Sequence, residues 1–125
     1  MENPGVLHFF CDIMREVPDA GIIDHLMVLL RRHASSRIEG DSMLPVLSDG
    51  DRVVVDPLST PAVGDIVVAY HPYKKSVSIV KRVVEIMPAG SFILIGDNLD
   101  ESTDSRSFGA IAADDIFGKV VSKFR

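Results

Sequence analysis

Two periodicities divide the chain. Up to residue 35 the apolar positions recur at helical spacing: Leu7, Phe10, Cys11 and Met14, then Ile22, Ile23, Leu26, Met27, Leu29, Leu30 and His33. Asn3-Pro4 can cap and open the first helix, Val17-Pro18-Asp19 breaks it, and Asp19 can cap the second. From Arg37 onward the apolar residues fall into short β-rich runs. Residues 52–56, 65–70, 77–86, 92–95 and 116–124 are predicted strands. Residues 49–51, 61–64, 71–75 and 88–91, rich in Gly, Pro, Asp and Ser, are the breaks between them. The pattern predicts a mainly β fold, with a helical arm over residues 1–35 and a β domain over residues 36–125.

Composition narrows the function classes. The chain has 125 residues, 46% hydrophobic and 25% charged, which fits one domain with a modest core. Its net charge of −5 argues against a general nucleic-acid-binding role. Arg31-Arg32-His33 and Lys74-Lys75 read as solvated ends of elements. Cys11 is the only cysteine, so no internal disulfide can form, and with no motif around it Cys11 reads as a small hydrophobe. No stretch reaches the roughly 20 apolar residues that span a bilayer. The longest candidate, residues 21–30, holds Asp24 and His25 and then meets two arginines. With Glu2 near the start in place of a basic region, the expectation is a cytoplasmic protein without a transmembrane anchor. The broad apolar face over residues 20–34 is expected to pack on the domain or to make a peripheral membrane or partner contact.

Three segments can carry chemistry. Alternation along residues 77–85 places Lys81 on the face of Ile79 and Val83, and sends Arg82 to the more polar side. Burial disfavours an ammonium and lowers its pKa, as a general base working near neutral pH requires. Ser42 stands in the turn-prone Gly40-Asp41-Ser42-Met43-Leu44-Pro45, where its hydroxyl can be presented and its own amide can help bind an oxyanion. A serine hydroxyl becomes a nucleophile when a neutral lysine takes its proton. The third segment, residues 96–109, is polar and acidic and lies between two predicted core strands, a good platform for site residues. There Asp104 and Arg106 can form an ion pair, and Ser102 can hydrogen-bond a lysine amine.

Ser42-Met43-x-Pro45, Gly50-Asp51, Gly64-Asp65-Ile66-Val67, Lys81-Arg82-Val83, and Gly96-Asp97-Asn98 through Ser102-x-Asp104-Ser105-Arg106-x-x-Gly109 resemble the boxes of the type I signal peptidase family, in that order. The resemblance covers residues 37 to 124 and implies the signal peptidase/LexA-like catalytic β domain. It implies Ser42 as nucleophile, Lys81 as general base and Ser102 orienting the lysine amine. Met43 would pack beneath the site, Asp104 and Arg106 would support it as an ion pair, and the Ser42 amide would serve the oxyanion. Endoproteolysis through an acyl-enzyme follows, with no cofactor and no metal.

Val46 departs from the threonine usual after the proline, and Gly40 from a serine that some members use as an oxyanion donor. His71-Pro72 and the form of the last box are similar to the nickel-type superoxide dismutase maturation proteases. That similarity implies a protein substrate, the precursor of a nickel superoxide dismutase, losing its N-terminal propeptide. The alternatives are a self-cleaving regulator like LexA or UmuD, a membrane-associated signal-peptidase-like protease, and a non-catalytic binding module on this fold.

Overall fold

A computed structural model describes residues 17–29 and 33–124. The expected helix around Leu7 to Met14, with Cys11, lies outside the described residues, as do Leu30, Arg31 and Arg32. The molecule is built on one six-stranded antiparallel sheet. In chain order the elements are α1 (Ile22–Leu29), β1 (Ala34–Arg37), β2 (Arg52–Asp56), β3 (Ile66–Tyr70), β4 (Ser78–Ile86), β5 (Phe92–Ile95), α2 (Ser105–Phe108) and β6 (Ile116–Lys123). The spatial order is β1-β2-β6-β3-β4-β5, so the last strand runs through the middle and leaves β1 and β5 at the edges. The fold is mainly β, as the run-and-break pattern predicts.

Both faces of the sheet are covered. Successive side chains of a strand point to opposite faces. The four buried residues of β3 therefore divide: Ile66 and Val68 join Ile38, Met43, Leu47, Val53, Val55 and Val120, while Val67 and Ala69 join Val83, Phe92, Leu94 and Ile111. This is why Ile66-Val67-Val68-Ala69 is an unbroken apolar run without alternation. Turns with glycine in the left-handed region, such as Gly50 at φ +89°, connect the strands.

The arm differs from its expectation. Ala34 and Ser35, placed at the end of a helical stretch by periodicity, lie instead in β1, paired in register with Val55 and Val54 of β2. The valine-rich partner strand decides the conformation over a weak local preference. Asp19 bridges Lys123 in parallel, and the Ala20 amide donates to the Lys123 carbonyl at 2.7 Å. Residues 18–20 thus run beside the part of β6 that lies past the end of its pairing with β3. α1 leaves Ile22, Ile23 and Leu26 exposed. Among the described residues no helix is long and apolar enough to cross a membrane.

Candidate active site

Ser42 sits in the turn that leads from β1 to β2. Gly40 opens that turn at φ +82°, a conformation that costs a residue with a Cβ. This explains why glycine, and not serine, stands two residues before Ser42. The Gly40 amide donates to Asp49 Oδ1 at 2.8 Å and is therefore engaged. The Ser42 amide makes no hydrogen bond among the described residues, so it is free to meet an oxyanion. Met43, 1% exposed, anchors the turn in the core cluster beside Ile38 and Leu47.

Lys81 stands in the middle of β4, opposite Val67 of β3, and is only 5% exposed. It and Ser42 line one cavity of about 210 Å³, walled by residues 36–39 on one side and residues 78–81 on the other. Burial pushes the Lys81 pKa below its usual 10.5, the Asp104 carboxylate pulls it back up, and the Arg106 guanidinium pushes it down again. Among the described residues no carboxylate lies within ion-pairing distance of its amine.

The segment after β5 supplies the rest of the site. Asp104 is fully buried and serves as the N-cap of α2, accepting from the Arg106 amide at 3.1 Å. Its carboxylate also takes Arg106 Nε at 2.9 Å, the Gly96 amide at 3.0 Å and the Ser102 hydroxyl at 2.7 Å. Burial pushes the Asp104 pKa up, but the hydrogen bonds from Arg106, Gly96 and Ser102 outweigh it and hold it below 3.8. In turn the Asp104 hydrogen bond raises the pKa of Arg106. The Ser102 proton is committed to Asp104, and no hydrogen bond joins Ser102 to Lys81 among the described residues. Its oxygen keeps lone pairs that can accept from an amine.

Two features bring these segments together. A Cβ on Gly96 would collide with Ser102 Oγ, lie 2.6 Å from Ser102 Cβ and 2.6 Å from the Ser42 carbonyl oxygen. Glycine is thus required where the two serines approach from either side. Next to it, the Asn98 amide donates to the Ser42 carbonyl at 2.9 Å and Asn98 Nδ2 to the Asp41 carbonyl at 3.0 Å. The serine turn is held directly by the segment that carries Ser102.

The same stretch of sequence matches a family model. The match is to "Peptidase S24-like" and runs over residues 22–121. The chain belongs to the Peptidase S24-like family. It is similar to the mitochondrial inner membrane protease subunit 1 of Xenopus tropicalis, 36% identical over 104 residues, with 65% of this chain and 62% of the relative covered. It is also similar to a probable signal peptidase I of Synechocystis, at 27% identity covering 70% of this chain and 68% of the relative. A third likeness, to signal peptidase IB of Staphylococcus aureus, is 46% identical over 39 residues, 20% of that protein. The chain thus spans about three-fifths of the frog protein it matches. These matches establish homology to a family of signal-peptidase-like serine proteases. The family match begins at Ile22 and so takes in α1, which the motif resemblance over residues 37–124 left aside.

Within this S24-like domain, one expectation is overturned. Arg82 does not point to a polar side: it is 1% exposed, with Nε and Nη2 each 2.8 Å from the two oxygens of Asp97 and Nη1 donating to the Gly64 carbonyl at 2.7 Å. The alternation was right, but both faces of β4 are covered here, so "opposite to Lys81" is not "toward water". Sequence reasoning also left Asp97 and Asn98 without roles. Their signal was present in Gly96-Asp97-Asn98 following a core strand, yet nothing local names their partners, 15 and about 57 residues away.

Proposed function

We propose that this chain is a serine endopeptidase with a Ser42/Lys81 dyad. The observation that carries the reading is a buried lysine, with its pKa depressed, sharing one cavity with a serine whose own amide is free. The neutral Lys81 amine takes the Ser42 proton as Oγ attacks the peptide carbonyl. The Ser42 amide donates to the resulting oxyanion. The Lys81 ammonium then protonates the leaving amine, and the acyl-enzyme forms. A water, deprotonated by the same amine, attacks the ester; the acid product leaves and Ser42 recovers its proton. Ser102, its own proton held by Asp104, keeps lone pairs that would accept an N–H of Lys81 during the reaction and so aim the amine's lone pair at Ser42.

The cleft suits an extended peptide. Among the described residues β1 pairs only with β2, and β4 pairs with β5 only from Arg82 onward, so these residues leave the edges of β1 and of residues 78–81 open around the cavity. A substrate strand can hydrogen-bond to these edges by strand addition. As substrate we propose the precursor of a nickel superoxide dismutase, a reading supported by the sequence resemblance around His71-Pro72 and residues 102–109. Incubating the protein with such a precursor, with Ser42→Ala as control, tests both levels by intact mass. Loss of the propeptide with wild type only is the expected result. If the precursor stays intact while other peptides are cut, that substrate is ruled out and the dyad chemistry stands.

A further inference from the structure

Arg37 and Arg52 face each other across β1 and β2 in register. The Ile38 amide donates to the Asp51 carbonyl at 2.7 Å, so the adjoining Arg37–Arg52 pair is of the non-hydrogen-bonded kind, in which side chains stand closest. Like charges placed directly opposite are destabilising. Both side chains are exposed, so solvent screens part of the repulsion; among the described residues neither guanidinium has a carboxylate within 4 Å or any hydrogen-bond partner. The neighbouring acids are turned away, with Asp49 accepting from the Gly40 amide and Asp51 from the Ser48 amide.

The two arginines, with Ser35, Ser36 and Gly50, line a cavity of about 410 Å³. Arg37 and Ser36 also line the 210 Å³ cleft that holds Ser42 and Lys81. A protein of net charge −5 therefore carries, among its described residues, a pocket with two arginines free of ion pairs, and it shares Ser36 and Arg37 with the cleft. Glu39, which also lines the cleft, stands on the far side of Ile38 from this pocket in sequence and makes no ion pair with Arg37.

We propose that the Arg37–Arg52 pocket is a subsite that binds an acidic side chain of the extended polypeptide lying in the cleft. The inference rests on the peptidase reading above, and it adds a substrate class: sequences with a glutamate or aspartate at one fixed position away from the cleaved bond. Side chains of an extended strand along the open edge of β1 alternate in direction, so only one register presents a carboxylate to the pair. Two guanidiniums can hold one carboxylate by charge-assisted hydrogen bonds, with Ser35 on the same face of β1 as Arg37.

The test is a glutamate scan. Short labelled peptides with small residues in the middle, differing only in the position of a single Glu or Gln, are titrated by anisotropy into the Ser42→Ala protein and assayed for cleavage by wild type. One Glu position should bind about tenfold tighter than its Gln twin at low ionic strength, and the advantage should shrink as salt rises. Arg52→Gln should reduce that ratio, Arg37→Gln/Arg52→Gln should abolish it, and Arg37→Glu/Arg52→Glu should transfer the preference to a lysine peptide. Equal binding of Glu and Gln peptides at every position, or a preference that survives the double substitution, overturns the subsite. A Glu preference without any cleavage supports the subsite and overturns the peptidase reading, so the two failures are told apart.

Discussion

Arg82–Asp97 and Arg106–Asp104 are both arginine–carboxylate pairs tied to the segment after β5, yet they lie in different surroundings. Both partners of the first are sealed from water, at 1% and 0% exposure, and Nη1 of the arginine donates to the Gly64 carbonyl. In the second the carboxylate is equally buried, but the guanidinium is 43% exposed. The charges that act on Lys81 are those of Asp104 and Arg106. The lesson is a division of labour between neighbours in sequence. One pair bolts β4 to the loop, and the other sets the field in which the lysine titrates. Burial is the largest influence and disfavours the ammonium; Asp104 favours it, and Arg106 opposes that pull.

The largest effect should come from the residue between the pairs. Lys81→Met is predicted to lower kcat/KM by about a thousandfold or more, because the nucleophile loses its base. The same substitution should stabilise the fold at neutral pH by about 1 kcal/mol, since it removes a buried charge without leaving a partner unpaired. The sign with pH follows from the depressed pKa. Folding is disfavoured while Lys81 must be buried protonated, so wild-type stability rises as pH climbs from the folded pKa toward 10.5, and the gap to Lys81→Met narrows. Chemical denaturation across that pH range checks it.

Breaking the sealed pair should act on stability. Asp97→Ala strands the Arg82 guanidinium in the interior and should cost about 3–5 kcal/mol, seen as a fall in Tm. An Asp97→Ala protein as stable as wild type would remove the bolt from the account. Smaller in scale is Asn98→Ala, which frees the Asp41 carbonyl but keeps the backbone bond to Ser42. It should cost about 1 kcal/mol, with kcat falling more than KM rises. The smallest change is expected from Arg106→Gln. The guanidinium is exposed and the buried Asp104 keeps its donors from Gly96, Ser102 and the Arg106 amide, so Tm should fall less than in Asp97→Ala. The pH at which activity rises should nevertheless shift upward, because Asp104 is then less well offset. If Arg106→Gln lowers Tm as far as Asp97→Ala does, the two pairs are not different in kind.

Much of this architecture was legible in the chain. Arg52–Asp56 and Phe92–Ile95 form strands over the predicted residues, and 66–70, 78–86 and 116–123 fall within one residue at either end. Short valine- and isoleucine-rich runs between Gly and Pro breaks have few other ways to fold. β1 was not legible, because Ala34-Ser35-Ser36-Arg37 has no strand signature of its own and takes its form from β2. Lys81 could be placed on its face by alternation, since that is a local property. The Arg82–Asp97 pair, the close approach at Gly96 and the two hydrogen bonds from Asn98 could not, because each joins segments whose spacing in sequence carries no information about distance in space.

The most direct test of the central claim is the pH dependence of Ser42 acylation by an activated ester, followed by intact mass on the whole protein. The dyad predicts one acyl group on Ser42 in wild type, with a rate that climbs between about pH 6 and pH 10 and levels off once Lys81 is neutral. It predicts no such climb in Lys81→Met. A rate that is flat across that range, or unchanged by losing Lys81, would contradict the lysine as the base.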